Sequence, residues 1–216
     1  MSQLIDALIE GYKEKKDHHN QALQERLAYL TKLLAIDRLQ VAKLYVKELR
    51  DFDIQIRDHV AWCINRRSDS IPETSWERER KLYLPRLELL LEQEYGSYNK
   101  PTRPLAYIKA GGMNVLPNLF DYTTHEKSHL RSAARTGLLF LVQKTEVARL
   151  YLFEALGNDN LVIRSNATWV IIRLHPEFKD KLKKYMQEGL EVEDLRPDFE
   201  LWLGIKTPAN FPHGLE

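Results

Sequence analysis

One cysteine, Cys63, stands among 216 residues, so no disulfide can form within the chain and no paired-cysteine metal motif can be built. Such sparing use of cysteine fits a reducing compartment, and a cytoplasmic location is expected. Chain breakers are scarce too: nine glycines and nine prolines, roughly 8% of residues against about 12% in average usage, favour long helices. Neither sign of charge is in excess, with 32 Lys+Arg against 31 Asp+Glu and a formal charge of +1. Phosphate affinity needs surplus cations, so nucleic acid is not an expected partner. No apolar run approaches the ~18 residues of a membrane span. The opening MSQLIDALIEGYKEKK puts its charges after its apolar part, the reverse of a secretory leader. No membrane association is expected. Gly111-Gly112 lacks the Lys-Ser/Thr sequel of a phosphate loop, and no G-x-S-x-G occurs. No cofactor and no catalytic residue are nominated.

What is present is helical periodicity in a composition, 44% hydrophobic and 29% charged, that can bury a core. Leu4, Ile5, Leu8, Ile9 and Tyr12 form one stripe; Leu23, Leu27, Leu30, Leu33 and Leu34 a second; Val41, Leu44, Tyr45 and Leu49 a third. Thr74-Ser75-Trp76-Glu77 has the capping-box pattern ahead of a helix over 77–94, in which Pro85 marks a kink or the true start. Pro176 is placed to open a helix, PEFKDKLKKYMQEG, closed by Gly189. No alternating run is long enough for a strand. The expected class is all-α.

The chain also repeats itself. VAKLYVKEL (41–49) matches VARLYLFEAL (147–156), and each precedes a short turn, Asp51-Phe52-Asp53 or Gly157-Asn158-Asp159-Asn160. Ile56-Arg57, Trp62, Ile64 and Arg66 then match Ile163-Arg164, Trp169, Ile171 and Arg173, and Leu130-Arg131 opens a fainter third copy. A helix pair cannot cover its own apolar face, so such units must stack. EALGNDNLVIRSNATWVIIRL resembles a HEAT repeat of the short kind found in phycobilisome-lyase-type proteins. The resemblance is good over 147–174, fair over 41–66 and faint over 115–142. It implies an α-α superhelix, a HEAT-like α-solenoid of about four to six helix pairs, as one domain over residues 1–214. Residues 68–112 fit no repeat and are expected to be an irregular helical insert. Residues 205–216 are a tail whose final Leu215-Glu216 matches a vector remnant.

Three groups of residues invite a functional reading. His125-Glu126-Lys127-Ser128-His129 spells H-E-x-x-H, which binds zinc only when both imidazoles share a helix face; the repeat places Lys127 level with Asp53 and Asn160, in a turn, so no metal site is expected. His18-His19, His59, His175 and His213 are expected to be solvated or capping, and Cys63 falls in phase with Ile56, Val60 and Ile64 as a core residue. Arg57, Arg131 and Arg164 are expected to be structural, bonding groups near the adjoining turn as the HEAT resemblance implies. The Trp–Arg pairs Trp62/Arg66 and Trp169/Arg173 fall off the apolar arc of their helices. Such a pair is either a partner-binding ridge or a surface packed on the next repeat.

The expected function is therefore non-enzymatic protein binding, as an adaptor, scaffold or bacterial inhibitor or immunity-type binder that grips another protein on a concave face. Two alternatives share the resemblance: a HEAT-like DNA glycosylase acting on alkylated bases, with Asp58 near Trp62 as its carboxylate, and a phycobilin-lyase-like protein.

Overall fold

The structure, a computed structural model, describes residues 6–12, 22–93 and 102–205. Every regular element among them is helical: α1 (residues 6–12), α2 (Ala22–Lys32), α3 (Leu39–Glu48), α4 (Ile54–Arg67), α5 (Glu73–Glu92), α6 (Thr102–Gly111), α7 (Leu116–Thr123), α8 (Ser128–Lys144), α9 (Glu146–Ala155), α10 (Leu161–Leu174), α11 (Lys183–Gly189) and α12 (Arg196–Trp202). Short 3-10 turns lie at Gly112–Val115 and Pro176–Phe178. Leu4 and Ile5 of the first stripe, His18-His19 and His213 lie outside the described residues, as does the tail from 206 onward. The chain divides into two compact units, Met1–Asn114 and Val115–Glu216.

In the first unit α4 packs against α2 and α6, while α3 packs against α4 and α5. The core between them holds Val41, Tyr45, Ile56, Val60, Cys63, Ile64, Tyr83 and Leu87, all fully buried. Burying one such aliphatic side chain stabilises the fold by about 1.5–3 kcal/mol. Cys63 is a core residue, and burial pushes its thiol up to about 12. The segment 68–112, expected as an irregular insert, supplies α5 along α3 and α6 along α4. It starts differently from the capping-box expectation. α5 begins at Glu73 behind Pro72, and Ser75 Oγ donates to Asp37 Oδ2 at 2.8 Å. Pro85 neither starts nor ends this helix. Its ring removes the donor for the Lys81 carbonyl, and both residues are exposed, so water can take that carbonyl.

A buried charge holds α4 in place. Arg67, its last residue, sends Nε to Glu79 Oε2 at 2.6 Å and Nη2 to Glu79 Oε1 at 2.7 Å, both side chains fully buried. The same guanidinium donates to the carbonyls of Leu33, Leu34 and Ile36 in the turn after α2, at 3.2, 2.7 and 2.9 Å. Tyr83 Oη adds a bond to Glu79 Oε2 at 2.8 Å. One side chain thus ties α2, α4 and α5 together, with the carboxylate's charge matched and its oxygens occupied.

In the second unit α10 is the central element, packed by α7, α8, α9, α11 and the Pro176–Phe178 turn. All of its residues from Ser165 to Ile172 are buried. The helix expected from Pro176 to Gly189 is interrupted. It opens as 3-10, passes through turns at 179–182 and resumes as α11. Gly189 is required there by a close approach: a Cβ would lie 2.2 Å from Phe199 Cε2, 2.7 Å from Phe199 Cδ2 and 3.1 Å from Ser165 Oγ. Phe199 is fully buried and cannot move aside cheaply. Gly189→Ala is expected to destabilise the chain by about 1–3 kcal/mol, read as a lowered urea midpoint; an unchanged midpoint would contradict this packing.

The two sequence copies differ in register. Asp53 and Asn160 cap α4 and α10 through Gln55 N and Val162 N. Counting back from these caps pairs Val41 with Ala148, Tyr45 with Leu152 and Glu48 with Ala155, and all six are buried. The matching strings VAKLY and VARLY are one residue out of step with that pairing, a turn of about 100°. In consequence Val147, Leu150, Tyr151 and Phe153 of α9 stand exposed, at 61, 60, 43 and 47%. Leu150→Lys is therefore expected to change stability by no more than about 0.5 kcal/mol in thermal melts. A loss as large as a core truncation gives would show that this face is covered.

Candidate functional site

The repeat builds the same local device three times. Before α4, Asp51 Oδ1 accepts from Asp53 N at 2.9 Å; before α10, Asn158 Oδ1 accepts from Asn160 N at 2.8 Å; before α8, His125 Nδ1 accepts from Lys127 N at 3.1 Å. Each turn exposes two carbonyls, and an arginine four residues after the cap position takes both. Arg57 Nη1 donates to Asp51 O and Phe52 O at 2.6 and 3.1 Å, Arg131 Nη1 to His125 O and Glu126 O at 2.8 and 2.7 Å, and Arg164 Nη1 to Asn158 O and Asp159 O at 2.7 and 2.9 Å. Arg131 also pairs with Asp194, whose carboxyl its hydrogen bond holds below the usual range, and Arg164 Nη2 reaches Glu188 Oε2 at 3.5 Å. These arginines clamp turns.

The same geometry places His125 in a turn and His129 in the first turn of α8, which begins at Ser128. The two imidazoles of H-E-x-x-H do not project from one continuous helix. Among the described residues no group of three or more His, Cys, Asp or Glu side chains could hold a metal ion, and no helix is long and apolar enough to cross a membrane.

The Trp–Arg pairs occupy equivalent places, Trp62 and Trp169 each nine residues past their caps and Arg66 and Arg173 each thirteen. Their surroundings differ. Trp169 is only 9% exposed, because α12 covers it: its indole Nε1 donates to Asp198 Oδ2 at 2.7 Å. The Arg173 guanidinium carbon lies 5.1 Å from the Trp169 ring centroid and 6.0 Å from that of Trp202, with Nη2 4.0 Å from Asp198 Oδ1. In this copy the off-arc position is interior, since α10 is packed round almost its whole circumference. Asp198 and Trp202, four residues apart, supply a carboxylate and a ring in one turn of helix.

On α4 the pair is open. Trp62 is half-buried and Arg66 exposed, the guanidinium carbon 5.9 Å from the indole centroid. His59 stacks on the same indole, centroids 5.4 Å apart and planes at 27°. Thr31 Oγ1 donates to Leu27 O at 2.9 Å, so its oxygen accepts from His59 Nε2 at 2.9 Å. Burial lowers the His59 pKa, which keeps the ring neutral at pH 7. On the opposite flank α6 engages α4 through other residues: Arg103 Nε donates to Asp58 Oδ1 at 2.5 Å, and Lys109 Nζ to Asn65 O and Asp69 Oδ2 at 3.0 and 2.9 Å. Among the described residues neither the Trp62 indole N–H nor the Arg66 guanidinium has a hydrogen-bonding or ion-pair partner.

No protein-family model and no curated protein matches the chain. The structure brings His59, Trp62 and Arg66 together as one stack; in the second unit it buries Trp169 beneath α12 and leaves Arg173 exposed beside it. His59, expected to be solvated or capping, is instead half-buried against Trp62 and bonded to Thr31; its spacing to Trp62, one helical turn, was visible in the sequence. Asp198 and Trp202 escaped the sequence reading because nothing in one sequence says which surface they cover.

Proposed function

We propose that the chain is a non-enzymatic protein-binding module whose helix pairs are HEAT-like repeats, and that α4 presents its binding ridge through Trp62 and Arg66. The observation that carries this reading is the contrast between equivalent pairs: the Trp–Arg device is closed by α12 at Trp169 and stands open at Trp62. A rigid indole beside a guanidinium is the composition of interface hot spots, combining apolar area with directional hydrogen bonding at little entropic cost. The recurring caps and arginine clamps support the repeat reading, since each helix pair enters its second helix in the same way. For the glycosylase alternative, Asp58 would have to act as the reacting carboxylate, yet it is held by Arg103, whose Nη1 also bonds Leu90 O and Gln93 O. That makes Asp58 a structural acid.

The test is affinity capture on immobilised chain with nuclease present. A stoichiometric protein retained by the native chain and lost with Trp62→Ala, a variant that keeps its circular dichroism, is the expected result. Capture that disappears with nuclease, or that survives Trp62→Ala unchanged, would contradict the reading.

A further inference from the structure

The closed copy of the Trp–Arg pair defines what the open copy can hold. At α10 the occupant is α12, which places one carboxylate within reach of both the indole N–H and the guanidinium, and one indole near the guanidinium four residues on. Among the described residues none of these three interactions has a counterpart at α4: an acceptor for the Trp62 N–H, a carboxylate paired with Arg66 and a second ring against its guanidinium. The local charge also asks for an acid. Around Trp62, Arg66, Arg103 and Lys109 face Asp58 and Asp69, and Arg103 and Lys109 neutralise those two carboxylates. His59 contributes no charge at pH 7. Arg66, exposed beside an indole, is the one of these cations that forms no ion pair among the described residues, feeling Asp69 only through space.

From this we infer that α4 binds an acidic-aromatic helical segment of a partner protein, one that carries Asp or Glu and, four residues later, Trp or another large aromatic. The carboxylate accepts from Trp62 Nε1 and pairs with Arg66; the aromatic ring stacks on the face of the guanidinium turned away from Trp62. His59 fixes the indole from its other neighbours, and the Thr31 hydroxyl fixes His59. A carboxylate hydrogen-bonded by an indole and a guanidinium is stronger than a neutral pair, and a cation between two rings gains from both. The inference rests on the protein-binding reading and adds the kind of partner.

The chain's own occupant supplies a probe. A synthetic peptide of residues 194–205, DLRPDFELWLGI, is titrated into full-length ¹⁵N-indole-labelled chain, with the Trp62 and Trp169 resonances assigned from Trp62→Phe and Trp169→Phe. The expected result is a saturable shift of the Trp62 indole N–H while Trp169 stays in place. Arg66→Ala in the chain, or Asp198→Asn in the peptide, is expected to weaken binding about ten-fold or more, the scale of a charged hydrogen bond. Replacing the peptide tryptophan by alanine is expected to weaken it by several-fold. A Trp62 resonance that never moves overturns the inference, as does an Asp198→Asn peptide that binds equally well, which would mean a merely apolar partner. So does concentration-dependent dimerisation through Trp62 that the peptide fails to inhibit, which would make the occupant a second copy. If the peptide fails while capture through Trp62 succeeds, the protein-binding reading stands and the acidic-aromatic partner falls.

Discussion

Arg67→Ala is expected to lower the stability of the chain by about 3–5 kcal/mol, one of the two largest effects any single substitution should have here. The guanidinium is fully buried, and its removal strands the Glu79 carboxylate, also fully buried, with only the Tyr83 hydroxyl as a donor among the bonds described above. It also strips the donor from the Leu34 carbonyl and weakens the turn after α2. A companion variant separates these causes. Arg67→Met with Glu79→Leu removes the stranded charge and restores apolar packing, so it should recover part of the loss. It cannot recover all, because in both variants the Leu34 carbonyl loses the Arg67 donor, and those of Leu33 and Ile36 keep only their backbone donors, Ile36 N and Arg38 N. Urea unfolding followed by circular dichroism reads both. A single variant within about 1 kcal/mol of wild type would show that the network contributes little.

Trp169→Ala should destabilise by a similar amount, about 3–5 kcal/mol, the usual range for a buried tryptophan. Three losses combine: the indole's packing, the bond that Asp198 accepts, and one of the two rings flanking Arg173. The matching substitution Trp62→Ala is expected to cost about 1 kcal/mol or less, since that side chain is half-buried and its N–H is unused. Equivalent sequence positions should therefore behave differently, one as a core residue and the other as a binding residue. Thermal melts of the two variants side by side check this. Equal losses would mean that α4's pair is as enclosed as α10's.

Much of the fold was legible because helices announce themselves through periodicity. The all-α class follows from periodicity and the core role of Cys63 from its phase with Ile56, Val60 and Ile64, while the turn contacts of Arg57, Arg131 and Arg164 were expected from the HEAT resemblance; that Asp53 and Asn160 cap their helices was not read from the sequence. Three features were hidden for physical reasons. The helix expected over 77–94 could not be joined to a repeat, because α5 and α6 are anchored by the buried charges Arg67, Glu79 and Arg103, which apolar periodicity does not show, and the segment 68–112 looked irregular. The one-residue offset between α3 and α9 is invisible in the strings VAKLY and VARLY, because both helices carry enough apolar residues to satisfy either register. The fate of Trp169 depends on α12, 29 residues downstream, and a helical wheel drawn on α10 alone shows an off-arc residue without showing what lies against it. The Trp–Arg motif was visible in the sequence; its two different environments were not.

The most direct test of the central claim is indole hydrogen exchange measured by NMR on the native chain, comparing Trp169 Nε1–H with Trp62 Nε1–H. Strong protection of Trp169, whose proton is held by Asp198, alongside exchange at near the free rate for Trp62 is the expected result. Protection of both would mean that the α4 pair is already covered, and rapid exchange at both would mean that α12 does not close the α10 pair; either outcome contradicts the account.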